Sequence, residues 1–178
     1  MHCVYFVRHG ETVWNVENKI CGMTDSPLTA RGREQAWQAG EAVRACGYAI
    51  DEILYSPLSR AADTARAIAE ATGLPARVEP RLREQAFGRY EGTPRDGAEF
   101  RISKTHFADS YSGGESMLAL AQRIYNLLDD LRADDKTYLL VAHNGIARCV
   151  QSYFYDMTNE EYAAFGIKNC EIREYRFD

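Results

Sequence analysis

The stretch Cys3-Val4-Tyr5-Phe6-Val7-Arg8-His9-Gly10-Glu11-Thr12 decides how the rest of the chain is read. Cys3 to Val7 is a short run without polar alternation, the pattern of a strand covered on both faces, as strands of parallel sheets are. It breaks at once into a cation, an imidazole and Gly10, which lets a ligand approach the backbone. The same change recurs twice. Glu52 to Tyr55 reads as a short strand and leads into Ser56-Pro57-Leu58-Ser59-Arg60, with Arg60 in the first turn of a helix. Thr137 to Ala142 reads as a buried strand and leads into His143-Asn144-Gly145, again at a helix start.

Helical patterns fill the intervals. Leu28 to Ala45 has Thr29 as N-cap and Ala36, Ala39 and Val43 on one face. Pro57 to Thr72 turns Leu58, Ala61, Ala65, Ile68 and Ala69 inward, and Gly73 ends it. Glu115 to Arg132 is the clearest amphipathic segment, with Met117, Leu120, Ala121, Ile124, Leu127, Leu128 and Leu131 at helical spacing. A helix runs from about Gly145 to Tyr155. Thr158-Asn159-Glu160-Glu161 is a capping-box signature, Ala76 to Glu79 a further short strand, and Ile172 to Phe177 a last one. Strands alternating with helices predict an α/β fold, a mostly parallel sheet covered on both faces. In such sheets ligands bind beyond the carboxyl ends of the strands.

Three junctions therefore bring Arg8, His9, Arg60 and His143 to one end of the sheet. A lone histidine or arginine is usually structural or solvated. Two of each, converging on helix N-termini, describe a pocket for a phosphate dianion. Residues 88–114 fit neither period. This excursion carries Arg89, Tyr90, Arg95, Phe100, Arg101, Lys104, His106, Phe107 and Tyr111. Basic and aromatic residues in that mixture suit a substrate with an extra anionic group or a ring; the bland reading is a solvated loop with a few aromatic anchors.

Composition narrows the classes. With 178 residues, 46% hydrophobic and 26% charged, the chain suits one domain, residues 1–178, with enough apolar material for a core without disulfides or a metal. Five cysteines without a Cys-x-x-Cys pair suggest neither a disulfide framework nor a zinc site. The longest apolar runs, such as Leu139-Leu140-Val141-Ala142, are far short of the ~20 residues of a membrane span. The first residues lack a signal-peptide pattern, so a cytoplasmic location is expected. A net charge of −5 argues against nucleic-acid and membrane partners. Arginine nevertheless supplies 17 of the 21 positive charges, the fork suited to phosphate and carboxylate. No Gly-Lys-Ser/Thr phosphate loop is present. No surface pattern fixes an oligomeric state.

With these residues in view, the sequence resembles the histidine phosphatase superfamily, which includes the cofactor-dependent phosphoglycerate mutases. Arg8-His9-Gly10-Glu11-Thr12 is similar to its signature, and Trp14-Asn15 follows at the usual distance. Gly22 through Asp25-Ser26-Pro27-Leu28-Thr29 to Gly32 resembles the next segment. Ser56 to Ala65 resembles the second arginine motif, Leu82-Arg83-Glu84-Gln85-Ala86-Phe87-Gly88 with Glu91-Gly92 the acid-bearing segment, and Val141 to Gly145 with Arg148 the second-histidine motif. The resemblance spans Tyr5 to about Arg148 in the family's order. It implies a three-layer α/β/α sandwich with a mostly parallel central sheet. It implies His9 as nucleophile forming a phosphohistidine, with Arg8, Arg60 and His143 holding the phosphoryl oxygens. Glu84 becomes the general acid, then the base that activates water. Asn15, Asn144 and the backbone near Gly22 add neutral hydrogen bonds. Cys21, where the family often carries a small hydroxyl residue, is a packing or minor contact residue. No cofactor and no metal are implied, and the partner is a small phosphorylated metabolite.

Within the family, a phosphatase is favoured over a mutase. The chain is short and leaves the excursion little room for an enclosing lid. Glu84-x-x-Phe87-Gly88-x-x-Glu91-Gly92 looks like the phosphatase form, where mutases have Glu followed by Arg-His-Tyr-Gly. Ser112-Gly113-Gly114-Glu115-Ser116 resembles a helix entry of the phosphatase branch, although Glu115 at a helix start is also ordinary capping chemistry. The expected activity is metal-independent hydrolysis of small phosphomonoesters. The alternatives are a phosphoglycerate mutase and a non-catalytic phosphate-binding module. Sugar phosphates, phosphoglycerates, nucleoside monophosphates and α-ribazole phosphate remain open as substrates.

Overall fold

A computed structural model describes residues 2–177. The opening run forms β1 (Cys3–Arg8), and the sheet is completed by β2 (Glu52–Tyr55), β3 (Ala76–Val78), β4 (Tyr138–Ala142) and β5 (Ile172–Arg176). The strand order is β3-β2-β4-β1-β5. β1 pairs in parallel with β4, and β2 with both β3 and β4; β5 alone is antiparallel, against β1.

Side-chain alternation along the strands feeds two cores. Tyr5 and Val7 of β1, Ile53 of β2, and Leu139 and Val141 of β4 meet α2 (Ala30–Cys46) and α3 (Ser59–Thr72) through Ala39, Val43, Ala61, Ala65 and Ile68. Val4, Phe6, Leu54, Leu140 and Ala142 point the other way. They meet α5 (Met117–Arg132) and α6 (Asn144–Phe154) through Leu120, Ile124, Leu128, Ile146 and Val150. β1 and β4 are thus covered on both sides, which is why they read as continuous apolar runs. The result is an α/β/α sandwich with a mostly parallel sheet.

The helix ends follow local chemistry. Thr29 caps α2 by accepting the Gly32 N–H at 3.0 Å. Gly73 ends α3 in the left-handed conformation at φ +74°. The capping box at Thr158 and Glu161 starts α7 (Asn159–Ala164). Two helices have no counterpart in the periodic reading. The first, α1 (Val13–Val16), has four residues and rests on a reciprocal cap between Thr12 and Asn15. The second, α4 (Ala98–Ser103), lies inside the excursion, which folds over a small core of its own: Ile20, Phe87, Tyr90, Phe100 and Tyr111. An antiparallel bridge between Lys19 and Pro94 ties the excursion to the loop after α1.

Gly10 has a packing reason different from ligand approach. A Cβ there would stand 2.3 Å from the Gly32 carbonyl oxygen, and one on Gly32 would stand 2.0 Å from the Glu11 carbonyl oxygen. The loop after β1 and the first turn of α2 touch backbone to backbone, which only glycine permits on each side. Among the described residues no helix is long and apolar enough to cross a membrane.

Candidate active site

The register of three adjacent strands builds the site. Arg8 lies beside Ala142, and Tyr55 beside Val141. The residues that follow, His9, His143 and Ser56, therefore leave the same edge of the sheet together. The His9 N–H donates to the Ala142 carbonyl at 2.9 Å, and the Ser56 N–H to the Val141 carbonyl at 3.0 Å. The two imidazoles lie side by side, their centroids 5.2 Å apart and their planes tilted by 59°.

His9 is 5% exposed, and its Nδ1 stands 2.7 Å from the Gly10 carbonyl oxygen. A carbonyl can only accept, so Nδ1 holds the proton. In the neutral ring the free lone pair is then on Nε2. Burial, reinforced by the charges of Arg60 and Arg8, pushes the His9 pKa well below the usual 6.5. The same causes, burial first and then Arg60, lower His143. His143 Nε2 is 2.6 Å from Ser56 Oγ, which also accepts the Leu58 N–H at 3.3 Å.

Glu84 approaches from the loop before the excursion and is 4% exposed. Its Oε1 accepts the Gln85 N–H at 2.8 Å, and its Oε2 the Gly145 N–H at 3.0 Å. The second contact sets the carboxylate on the first turn of α6, where backbone donors and the helix dipole favour an anion. It also explains Gly145, because a Cβ there would stand 2.4 Å from Glu84 Oε1. Arg123 fixes the Glu84 backbone. Its guanidinium donates to the Glu84 carbonyl at 3.4 Å and to the Arg81 carbonyl, and grips Glu115 with bonds of 2.7 and 2.8 Å. Glu115 is therefore the counter-ion of a clamp, while Ser116 caps α5.

The cavity in front of His9 has a volume of about 130 Å³. Of the catalytic and substrate-binding residues expected from sequence, Arg8, His9, Asn15, Cys21, Glu84 and Asn144 line it, joined by Arg95, Phe100 and Lys104 of the excursion. Arg60 and His143 are not among the residues lining the cavity; both are buried, 1% and 0% exposed, and the His143 ring lies 5.2 Å from that of His9. Arg60 donates to the carbonyls of Gly22 at 2.7 Å and Thr24 at 3.1 Å, and pairs with Asp25 at 3.3 Å. Gly22 is off the cavity too. Its N–H donates to Glu91 at 3.1 Å, and Glu91 also accepts the N–H groups of Met23 and Phe87. Asn15 Oδ1 is engaged by the Thr12 N–H at 3.1 Å, and Asn144 Oδ1 by the Ile167 N–H at 3.0 Å. The Cys21 thiol donates to the Thr24 carbonyl at 3.0 Å, and burial raises its pKa.

Other residues complete the site. Asn169 Nδ2 donates to the His9 carbonyl at 2.8 Å and to Asn15 Oδ1 at 3.3 Å. It arrives from the loop before β5, and no local pattern marks it. Ser56 stands inside the segment whose sequence signal is Arg60. Arg95, Lys104 and Arg148 add cations to the wall, and Ile20, Phe87 and Phe100 an apolar side. Burial and neighbouring cations lower the pKa of Arg8 to about 10. Arg8 Nε, Arg60 Nε, His143 Nδ1 and Arg148 Nη1 are buried without a hydrogen-bond partner. Each such atom costs ~1–3 kcal/mol, a cost that an oxyanion placed among them would offset. Among the described residues no cluster of three or more His, Cys, Asp or Glu is arranged to hold a metal. A larger groove of about 400 Å³ between α5, α6 and α7 contains no histidine, arginine or lysine and cannot supply this chemistry.

The profile of the histidine phosphatase superfamily (branch 1) matches residues 4–178. A Klebsiella pneumoniae protein named "Probable phosphoglycerate mutase GpmB" is 36% identical over 179 residues, spanning 95% of this chain and 82% of the relative. The mycobacterial glucosyl-3-phosphoglycerate phosphatase in complex with VO3 superposes with a TM-score of 0.84 at 29% identity, over 98% of this chain and 90% of that one. The phosphoserine phosphatase of Entamoeba histolytica in complex with 3-phosphoglyceric acid gives 0.84 at 28% identity, over 99% and 91%.

Proposed function

The chain belongs to the histidine phosphatase superfamily, and from that premise we propose that it hydrolyses small phosphomonoesters through a phosphohistidine on His9, as one domain in which residues 88–114 shape specificity. The observation that carries this reading is the state of His9. Its Nδ1 proton is committed to the Gly10 carbonyl, and burial with two flanking arginines keeps the ring neutral. Nε2 is therefore a nucleophile across the pH range in which a phosphomonoester is a dianion.

In the first step Nε2 attacks phosphorus, the N–P bond forms and the ester P–O bond breaks. Glu84 delivers its proton to the leaving alkoxide. In the second step the Glu84 carboxylate takes a proton from water, the water oxygen attacks phosphorus, and the N–P bond breaks to release phosphate and regenerate His9. Each Glu84 oxygen accepts only one backbone N–H, which leaves a lone pair for these transfers. Arg8, Arg60 and His143 offset the charge on the phosphoryl oxygens. In the tautomer where Ser56 donates its proton to His143 Nε2, the buried Nδ1 of His143 carries the ring proton and is a donor. Arg60 serves a second purpose by holding the carbonyls of the Gly22 loop.

The test is phosphate release from a panel of phosphomonoesters in EDTA, with His9→Ala as the blank. The wild type is expected to release phosphate and carry an acid-labile phosphoryl label, and His9→Ala to do neither. Retained turnover in His9→Ala overturns the nucleophile. The name of the curated relatives makes phosphoglycerate mutase the second reading. Its signature would be isomerisation of 3-phosphoglycerate primed by 2,3-bisphosphoglycerate, without net hydrolysis.

A further inference from the structure

Nine basic and aromatic residues of the excursion compete for a role in specificity, and packing removes most of them. Arg89 pairs with Glu99 at 2.6 Å, and Tyr90 and Tyr111 are buried in the excursion's own core. Phe107 belongs to the groove at α5 and α7. Arg95, Phe100 and Lys104 alone among the nine line the cavity in front of His9. Arg95 is fixed there by donating Nε to the Lys19 carbonyl at 2.8 Å. Lys104 Nζ lies 5.0 Å from the centre of the Phe100 ring.

These cations have no counter-ion. Elsewhere the molecule pairs its arginines freely, as in Arg81 with Glu79 and Asp130, or Arg123 with Glu115. Among the described residues Arg8, Arg95, Lys104 and Arg148 form no salt bridge, although all four face one cavity whose only carboxylate is Glu84. Four positive charges against one negative leave an excess of three. A phosphoryl dianion removes two of these, and one positive charge remains. Once Glu84 carries the proton it is to donate, two remain. Desolvated cations left together are costly unless an anion joins them. Burial and the nearby Arg148, Arg95 and Arg101 accordingly lower the Lys104 pKa to about 8, and burial lowers that of Arg95.

We propose that Arg95 and Lys104 form a second anion subsite beside the phosphoryl site, so that the preferred substrate is a small phosphomonoester bearing a second anionic group. The proposal rests on the phosphomonoesterase reading for the identity of the first anion. Size agrees with it. The cavity, about 130 Å³ and open to solvent on one side, is many times the ~10–15 Å³ that one water needs, so a phosphoryl group on a short skeleton ending in a second anion fits. The Phe87 and Phe100 side of the wall packs on the carbon chain between them.

The experiment has a binding arm and a turnover arm. In the binding arm 3-phosphonopropionate and propylphosphonate, which differ in the carboxylate, are titrated calorimetrically into the wild type, Lys104→Met and Lys104→Arg. Methionine keeps the stem on Phe100 and removes the charge. The wild type and Lys104→Arg are expected to bind the carboxylated ligand at least tenfold tighter than its neutral counterpart, and Lys104→Met to lose most of that ratio. Equal affinity of the wild type for both ligands, or an unchanged ratio in Lys104→Met, overturns the subsite. In the turnover arm, the ratio of kcat/KM for 3-phosphoglycerate over glycerol 3-phosphate is expected to fall at least tenfold in Lys104→Met. If the wild type hydrolyses neither ester, the hydrolytic reading fails while the binding arm still decides the subsite. If both esters turn over equally well in the wild type, the subsite fails and the hydrolytic reading stands.

Discussion

Gly145→Ala tests the placement of the proton donor without touching its chemistry. The added Cβ would lie 2.4 Å from Glu84 Oε1, 3.0 Å from its Cδ and 3.2 Å from Oε2, where ordinary contact begins at 3.4 Å. The carboxylate must therefore retreat by about 1 Å, a displacement that can cost ~10²-fold in rate when it moves a catalytic group. The obstacle is the far end of a flexible side chain, so the fold yields locally. The lost Gly145 N–H bond to a charged acceptor should cost ~1.5–3 kcal/mol at most. The loss in turnover should depend on the leaving group. An alkyl phosphate needs a proton on its departing oxygen, and its kcat should fall ~10²-fold. 4-Nitrophenyl phosphate leaves as a stable anion and should lose only a few-fold. Steady-state kinetics on both esters, with urea unfolding in parallel, measure this. Repeating the substitution in a Glu84→Gln background should add almost nothing, because the group it displaces no longer donates. Equal losses on both esters, or a full additional loss in the Glu84→Gln background, would refute the general-acid assignment.

Two further outcomes follow from the electrostatics. His9 and His143 titrate well below 6.5 in the folded state and near 6.5 unfolded, so the unfolded chain binds more protons below pH 6.5. Stability should fall as pH drops through that window, by up to ~1.4 kcal/mol per pH unit for each ring. Urea unfolding between pH 5 and 7 measures the slope, and an unchanged slope in His143→Gln would contradict the assignment. Lys104, with Arg95, Arg101, Arg148, Arg8, His9 and Glu84 around it, loses its proton near pH 8 in the free protein. The kcat/KM for a carboxylated ester should therefore decline above about pH 8 relative to an uncharged analogue, and parallel pH profiles for the two would contradict a charged Lys104 in recognition.

Legibility in the sequence tracked how local the cause was. The alternation of β1 and β4 between two cores is written in successive residues, and so are the caps at Thr29, Gly73 and Thr158. α1 was invisible because four residues show no period; it exists through one reciprocal cap and the bridge from Thr12 to Leu28. Parallel register explains why the site could be anticipated at all: once β2, β4 and β1 lie side by side, His9, Ser56 and His143 must emerge together. The burden each residue carries was less readable. Arg60 looks like a phosphate ligand from its helix start, yet two of its nitrogens hold carbonyls of the Gly22 loop, and the backbone of that loop is in turn gripped by Glu91. Gly10 looks like an opening for a ligand, yet it accommodates the Gly32 carbonyl. Both cases add to a local cue a contact made from far along the chain: Arg60 satisfies buried carbonyls that must find a partner, and Gly10 leaves room for the Gly32 backbone. The excursion is the extreme instance. Its basic and aromatic residues look equivalent in sequence, and tertiary contacts separate them: the Lys19 carbonyl holds Arg95 and the Phe100 ring carries Lys104 on the wall of the His9 cavity, while Arg89 pairs with Glu99. On the proposal that residues 88–114 shape specificity, a change confined to their core, such as Tyr111→Ala, should lower the kcat/KM ratio for 3-phosphoglycerate over glycerol 3-phosphate as Lys104→Met does, although Tyr111 does not line the cavity; an unchanged ratio would detach specificity from the packing of this segment.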